Sequence, residues 1–130
     1  MKKYIYFLLL SVFQILNAQN ISLNNLTVSQ SNSNVIQVHV KVFTNCGTYL
    51  ANSFNINNDI ISLDMCYYMC DAHTAIILEN DVYIPIPMNS NYTLIVNIYD
   101  STSETVCDYN SVQGSATVQF STPLTDPVVL

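Results

Sequence analysis

The feature that most constrains this chain is a period of two. Ile36, Val38, Val40 and Val42 alternate with Gln37, His39 and Lys41, and Val82, Ile84 and Ile86 alternate in the same way. Tyr92, Leu94, Val96 and Ile98 follow the rule, as do Ala116, Val118 and Phe120. Successive side chains of an extended strand point to opposite faces, so this pattern builds strands with one buried face. The segments 49–56 and 60–68 flank Asn57-Asn58-Asp59, residues suited to a hairpin turn. A short strand near residues 26–29 makes seven. Asn, Ser and Thr are abundant, and these residues favour turns and strands over helix interiors. Residues 72–80 fit either a strand or a helical turn. Pro85 and Pro87 cannot donate to a ladder, so their strand is expected to lie at an edge or to end there.

Residues 1–18 read as a secretory signal: Lys2 and Lys3, an apolar run over residues 4–16, then Ala18 before the expected cut. The run is too short for a bilayer span, which takes roughly 20 residues. Residues 19–130 then form one secreted domain with no membrane span after signal cleavage. That domain has Lys41 as its one basic residue and all nine carboxylates, a net charge of −8. No Lys/Arg cluster exists to meet a phosphate backbone, which excludes nucleic acid as a partner. An apolar content of 50% excludes disorder. The acids fall largely in or beside turns, where they act as a solubility surface. Strand edges lack the usual lysine protection, so edge pairing with another chain is the first association to expect.

Cys46, Cys66, Cys70 and Cys107 carry the most specific information. In a small exported domain, four cysteines read as two disulfides with three possible connectivities. Strands that run up and down in turn would bring the ends of the second, fourth and sixth to one pole, and all four cysteines with them. The competing reading is a metal site: Cys66, Cys70 and His73 lie within eight residues, with Cys46 or Cys107 to complete it and Met65 and Met69 nearby. Export favours oxidation over thiolate ligation. No cofactor is implied.

Catalytic signatures are missing. There is no Gly-x-Ser-x-Gly, no Ser-x-x-Lys and no glycine-rich phosphate loop, since Gly47 and Gly114 are the only glycines. A small hydrolase is the weakest of the functional readings, and the chain is expected not to be an enzyme. Tyr67, Tyr68 and Tyr109 crowd the expected cysteine pole and are the candidate binding residues, because tyrosine-bearing loops on a rigid sandwich build contact faces. His39 reads as a solvated strand residue. Asn20, Asn25 and Asn91 open Asn-x-Ser/Thr acceptors, and Asp100-Ser101-Thr102 is similar to an O-glycan acceptor.

Pro87-Met88-Asn89-Ser90-Asn91-Tyr92, followed by a hydrophobic strand, resembles the tyrosine-bearing corner of immunoglobulin-like and fibronectin type III-like sandwiches. The resemblance implies that the Tyr92 hydroxyl bonds back to the corner backbone. It departs from the immunoglobulin pattern in having no Trp and no cysteine pair at inter-sheet core spacing. It also resembles small exported bacterial sandwiches without assigned activity. The expected fold is an all-β, antiparallel, seven-strand immunoglobulin-like sandwich. The expected function is a non-catalytic secreted or periplasmic binding or accessory module, stapled by disulfides and contacting a protein or glycan. The alternative is a small metal-binding protein using Cys66, Cys70 and His73.

Overall fold

Alternating segments become strands in the computed structural model, which describes residues 21–70 and 74–130. The signal expected over 1–18, the acceptor Asn20 and the candidate ligand His73 lie outside the described residues. The strands are β1 (Ile21–Asn32), β2 (Val35–Thr44), β3 (Gly47–Asn57), β4 (Ile60–Met69), β5 (Ile76–Pro85), β6 (Asn91–Ser101), β7 (Ser111–Ser121) and β8 (Val128–Val129). They form two four-stranded sheets, ordered β5-β2-β1-β8 and β3-β4-β6-β7. The ambiguous segment 72–80 resolves in favour of a strand from Ile76 onward. Asn58 and Asp59 make the β3–β4 turn, with Asn58 at a φ of 56°, a conformation asparagine tolerates better than most residues.

The expected seven-strand, wholly antiparallel order is corrected in two respects. β8 is an eighth strand, pairing with Thr27 and Val28 of β1. And β4 pairs with β6 in parallel, from Ile60↔Thr93 to Tyr68↔Ser101. The reason is geometric. Between β4 and β6 the chain makes one excursion, β5, to the other sheet. Strands that alternate in direction then bring β4 and β6 together pointing the same way. Pro85 ends β5, an edge strand, as the missing N–H requires.

The two inner faces meet in one core. Ile36, Val38, Val40 and Val42 of β2 and Leu94, Val96 and Ile98 of β6 are fully buried. Burial of a side chain of this size stabilises by roughly 1.5–3 kcal/mol. Leu63, Met65 and Tyr67 of β4 complete the same layer. The Tyr92 hydroxyl donates to the Pro87 carbonyl at 2.7 Å, the bond expected at the corner. On the outer face of the second sheet, Asn97 Nδ2 donates to Asp64 at 3.0 Å and Ser115 Oγ donates to Asn97 at 2.9 Å. This ladder ties β4, β6 and β7 in register across the parallel junction.

Candidate functional site

Cys46 directly precedes β3 and Cys70 directly follows β4, and Gly47 pairs with Met69 at that end of the hairpin. One further step of the register sets Cys46 opposite Cys70, and the two are bonded with their Cα atoms 5.2 Å apart. The second disulfide joins Cys66 to Cys107, Cα atoms 6.3 Å apart. Cys66 belongs to the outward phase of β4, yet it is fully buried. On that face the loop at 102–110 is tied to it through Cys107. All four cysteines thus gather at one pole, as the up-and-down order implies. With both sulfurs of Cys66 and Cys70 in disulfides, neither is a thiolate in this oxidised state. Among the described residues, no group of His, Cys, Asp and Glu is placed to hold a metal ion.

The loop has its own internal frame. Ser101 is buried, and its hydroxyl donates to the Ser103 carbonyl at 2.8 Å while accepting from the Ser103 and Asp108 amides. Asp100 accepts from the amide and hydroxyl of Ser111 at 2.8 and 2.9 Å. Asp108 accepts from the Thr102 amide at 3.1 Å and from its hydroxyl, and the hydroxyl bond holds its carboxyl below the ordinary value. Two acids expected to be solvated turn residues therefore organise the loop. Ser101, the middle residue of the Asp100-Ser101-Thr102 tripeptide, is internal to the folded loop.

The three candidate tyrosines separate. Tyr67 is fully buried on the inner face, edge-on to Tyr49 with centroids 5.6 Å apart, and its hydroxyl reaches Asn80 across the core at 3.3 Å. Burial first, and then Tyr49, pushes its ionisation well above the ordinary tyrosine range. Tyr67 is a core residue and not part of a contact face; its odd position in β4 shares the phase of Leu63 and Met65. Tyr68 lies on the outer phase and is half-buried. Tyr109 is half-buried, has a φ of 45°, and packs edge-on against Tyr99 at 5.4 Å. Between these groups, Val106 stands 71% exposed near the loop tip.

Gly47 has a role at this pole that the sequence did not reveal. A Cβ added there would sit 2.7 Å from the Tyr68 carbonyl oxygen, closer than real contacts allow. Gly47→Ala is expected to cost about 1–3 kcal/mol by overpacking against backbone. A denaturant midpoint unchanged from the parent would show that the β3–β4 spacing adapts.

A second polar cluster lies on the outer face of the first sheet. His39 pairs with Asp81, and Lys41 with Glu79, in the β2–β5 register. His39 Nδ1 is 2.5 Å from Asp81, its Nε2 is 3.5 Å from Glu79, and Lys41 Nζ is 3.0 Å from Glu79. The histidine expected to be solvated is held between two carboxylates. Thr27 lies opposite His39 in the same row, which assembles the residue types of a nucleophile, base and acid. The geometry does not connect them: Nε2 faces Glu79, and the Thr27 hydroxyl donates to Asn25 at 3.4 Å. Phe43, Ile77 and Tyr83 are exposed apolar residues on this face.

Lys41 and then His39 lower Glu79 from its ordinary value of 4.5, and His39 and then Gln37 lower Asp81 from 3.8. Depressed carboxylates stabilise fully above their unfolded values and lose that contribution as pH falls through the folded ones. Melting temperature should therefore fall more steeply between about pH 5 and pH 2 in the parent than in a Glu79→Gln/Asp81→Asn variant. The difference should be small, because both groups are exposed and screened. Parallel curves for the two proteins would remove these pairs from the acid response.

A shallow depression of about 480 Å³ lies at the opposite pole, lined by Asp59, Asn91, Thr93, Gln119 and Ser121 among others. Asn91, one of the Asn-x-Thr positions, accepts there from Ser121 Oγ at 2.6 Å. Comparison of the chain with protein-family models, curated proteins and solved structures returns no match.

Proposed function

We propose that this chain is a non-catalytic binding or accessory module that works in an oxidising compartment outside the cytoplasm. The contact face in this reading is the cysteine pole, and its partner is a protein or glycan. The supporting observation is the pair of disulfides that converge on one pole and tie an exposed loop to the sheet beneath it. Rigid loops lose little conformational freedom when they bind, so a stapled loop is a favourable place for contact residues. Tyr109 and Tyr68 supply aromatic surface with a polar tip, and Val106 supplies an apolar one. Tyr67 is removed from the face, because its ring fills the core.

The immunoglobulin-like likeness remains part of this reading through Tyr92 and its corner. The parallel β4–β6 pair sets the strand order apart from it. The test is co-purification of the exported, oxidised protein with its partner, repeated with Tyr68→Ala and Tyr109→Ala. Both variants should melt close to the parent and lose the partner. Should the partner remain bound to both, the contact face lies elsewhere. Thiol titration of the denatured, unreduced protein should detect none; four thiols would restore the metal reading and end this one.

A further inference from the structure

β7 is an edge of its sheet and contains no Lys, Arg, His, Asp, Glu or Pro. Charge and proline, two of the usual devices that block edge pairing, are missing from it, and its one bulge, at Gln113, lies near its start. Its ladder phase can be read from one bond. The Thr122 amide donates to the Ser90 carbonyl at 2.9 Å, continuing the β6–β7 register. Backbone groups of successive residues point to alternate sides. Phe120, Val118 and Ala116 therefore bond toward β6, while Ser115, Thr117, Gln119 and Ser121 direct their amides and carbonyls away from the sheet. The bulge between Ile98 and Tyr99 falls beyond this stretch, so residues 115–121 form an uninterrupted template.

We propose that β7 pairs antiparallel with β7 of a second copy about a twofold axis at Val118, joining two four-stranded sheets into one of eight. In this register Ser115 faces Ser121 and Thr117 faces Gln119 in hydrogen-bonded pairs. All four outward backbone positions are then satisfied. In the alternate pairs Ala116 of one copy faces Phe120 of the other, small against large, and Val118 faces its twin. Charge does not separate the two edges of this sheet; the self-complementary register selects β7. β3, the opposite edge, is equally uncharged, but the bulge between Tyr49 and Ala51 interrupts it within the strand. On the β7 side the neighbouring strand is β1, and Val129 and Leu130, in the segment that pairs with β1, are 62% and 57% accessible. A head-to-tail union of β7 with β3 would be parallel, because both strands oppose the parallel pair β4 and β6, and it would leave open ends. The twofold union closes.

An edge junction of this kind is small, so the dissociation constant should be on the order of micromolar or weaker. Sedimentation equilibrium of the oxidised mature chain, from about 10 μM to about 1 mM, should show a rise to twice the monomer mass. Thr117→Pro removes an amide that points away from β6, and so spares the chain's own sheet. Thr117→Glu sets a carboxylate opposite Gln119 and near its own twin. Each should weaken association at least about tenfold, while Ser53→Glu on β3 should leave it unchanged. If the proline variant does not fold, Thr117→Glu decides, with its melting checked. Amide exchange adds a readout on the parent: protection of Thr117 and Gln119 should rise with concentration. A monomer at every concentration, exchange independent of concentration, or an equal or larger effect of Ser53→Glu would each overturn the proposal.

Discussion

Replacing Cys66 and Cys107 together by alanine is expected to lower the unfolding free energy by about 4 kcal/mol. The bond closes a separation of 41 residues, and the chain-entropy estimate for a loop of that length gives this magnitude. The Cys46–Cys70 bond closes 24 and should be worth about 3.5 kcal/mol by the same estimate. The two losses should differ in kind. Cys46 and Cys70 flank a hairpin already held by its ladder, so their removal should act mainly on global stability. Removal of the other bond frees the loop at 102–110 from β4 at Cys66. Amide exchange should therefore accelerate across that loop before global unfolding, and chemical denaturation should show the full loss. If exchange in the loop stays as slow as in the parent, the frame around Ser101, Asp100 and Asp108 holds it unaided.

Tyr67→Ala is expected to cost about 3–5 kcal/mol, the range for loss of a buried aromatic ring. Tyr68→Ala, one residue along, should cost less than about 1 kcal/mol, as a half-exposed position does. Tyr67→Phe separates packing from polarity: it keeps the contact with Tyr49 and loses only the bond to Asn80, about 1 kcal/mol. Urea or guanidinium unfolding measures all three. Comparable losses for Tyr67→Ala and Tyr68→Ala would mean that the two rings share one environment. The contrast also bears on function. Loss of a partner on changing Tyr67 would report unfolding, whereas loss on changing Tyr68 at unchanged stability would report contact.

Much of the fold was legible because its signals are local. Alternation marks each strand, and Asn57-Asn58-Asp59 marks the hairpin turn. Pro85 marks an edge, and Tyr92 after Pro87 marks a corner whose hydrogen bond spans five residues. Part of the cysteine pairing was nearly within reach. Counting back from the turn at Asn58 and Asp59 brings Cys46 within one residue of facing Cys70. The bulge between Tyr49 and Ala51 supplies the missing step. Bulges leave little trace in a single sequence, so three connectivities stayed open. The phase of β4 also carried an unread message: Tyr67 shares the odd positions with Leu63 and Met65, which places it in the core.

Other features depend on residues far apart in the chain. His39 meets Asp81 across 42 positions, and nothing near either residue announces the other. The parallel β4–β6 pair follows from which sheet β5 joins, a choice made by the packing of whole strands.

The sequence by itself determined an all-β chain, strongly acidic, with four cysteines drawn toward one pole and edges without lysine. Those properties depend on side-chain period, charge and turn chemistry, which act over a few residues. Only the tertiary structure decided the sheet order, the disulfide partners, the burial of Tyr67 and Ser101, and which strands stand at the sheet edges. Each of these depends on which face of a strand meets which neighbour. A shift of one residue exchanges those faces, so pairing register, and not composition, settles them.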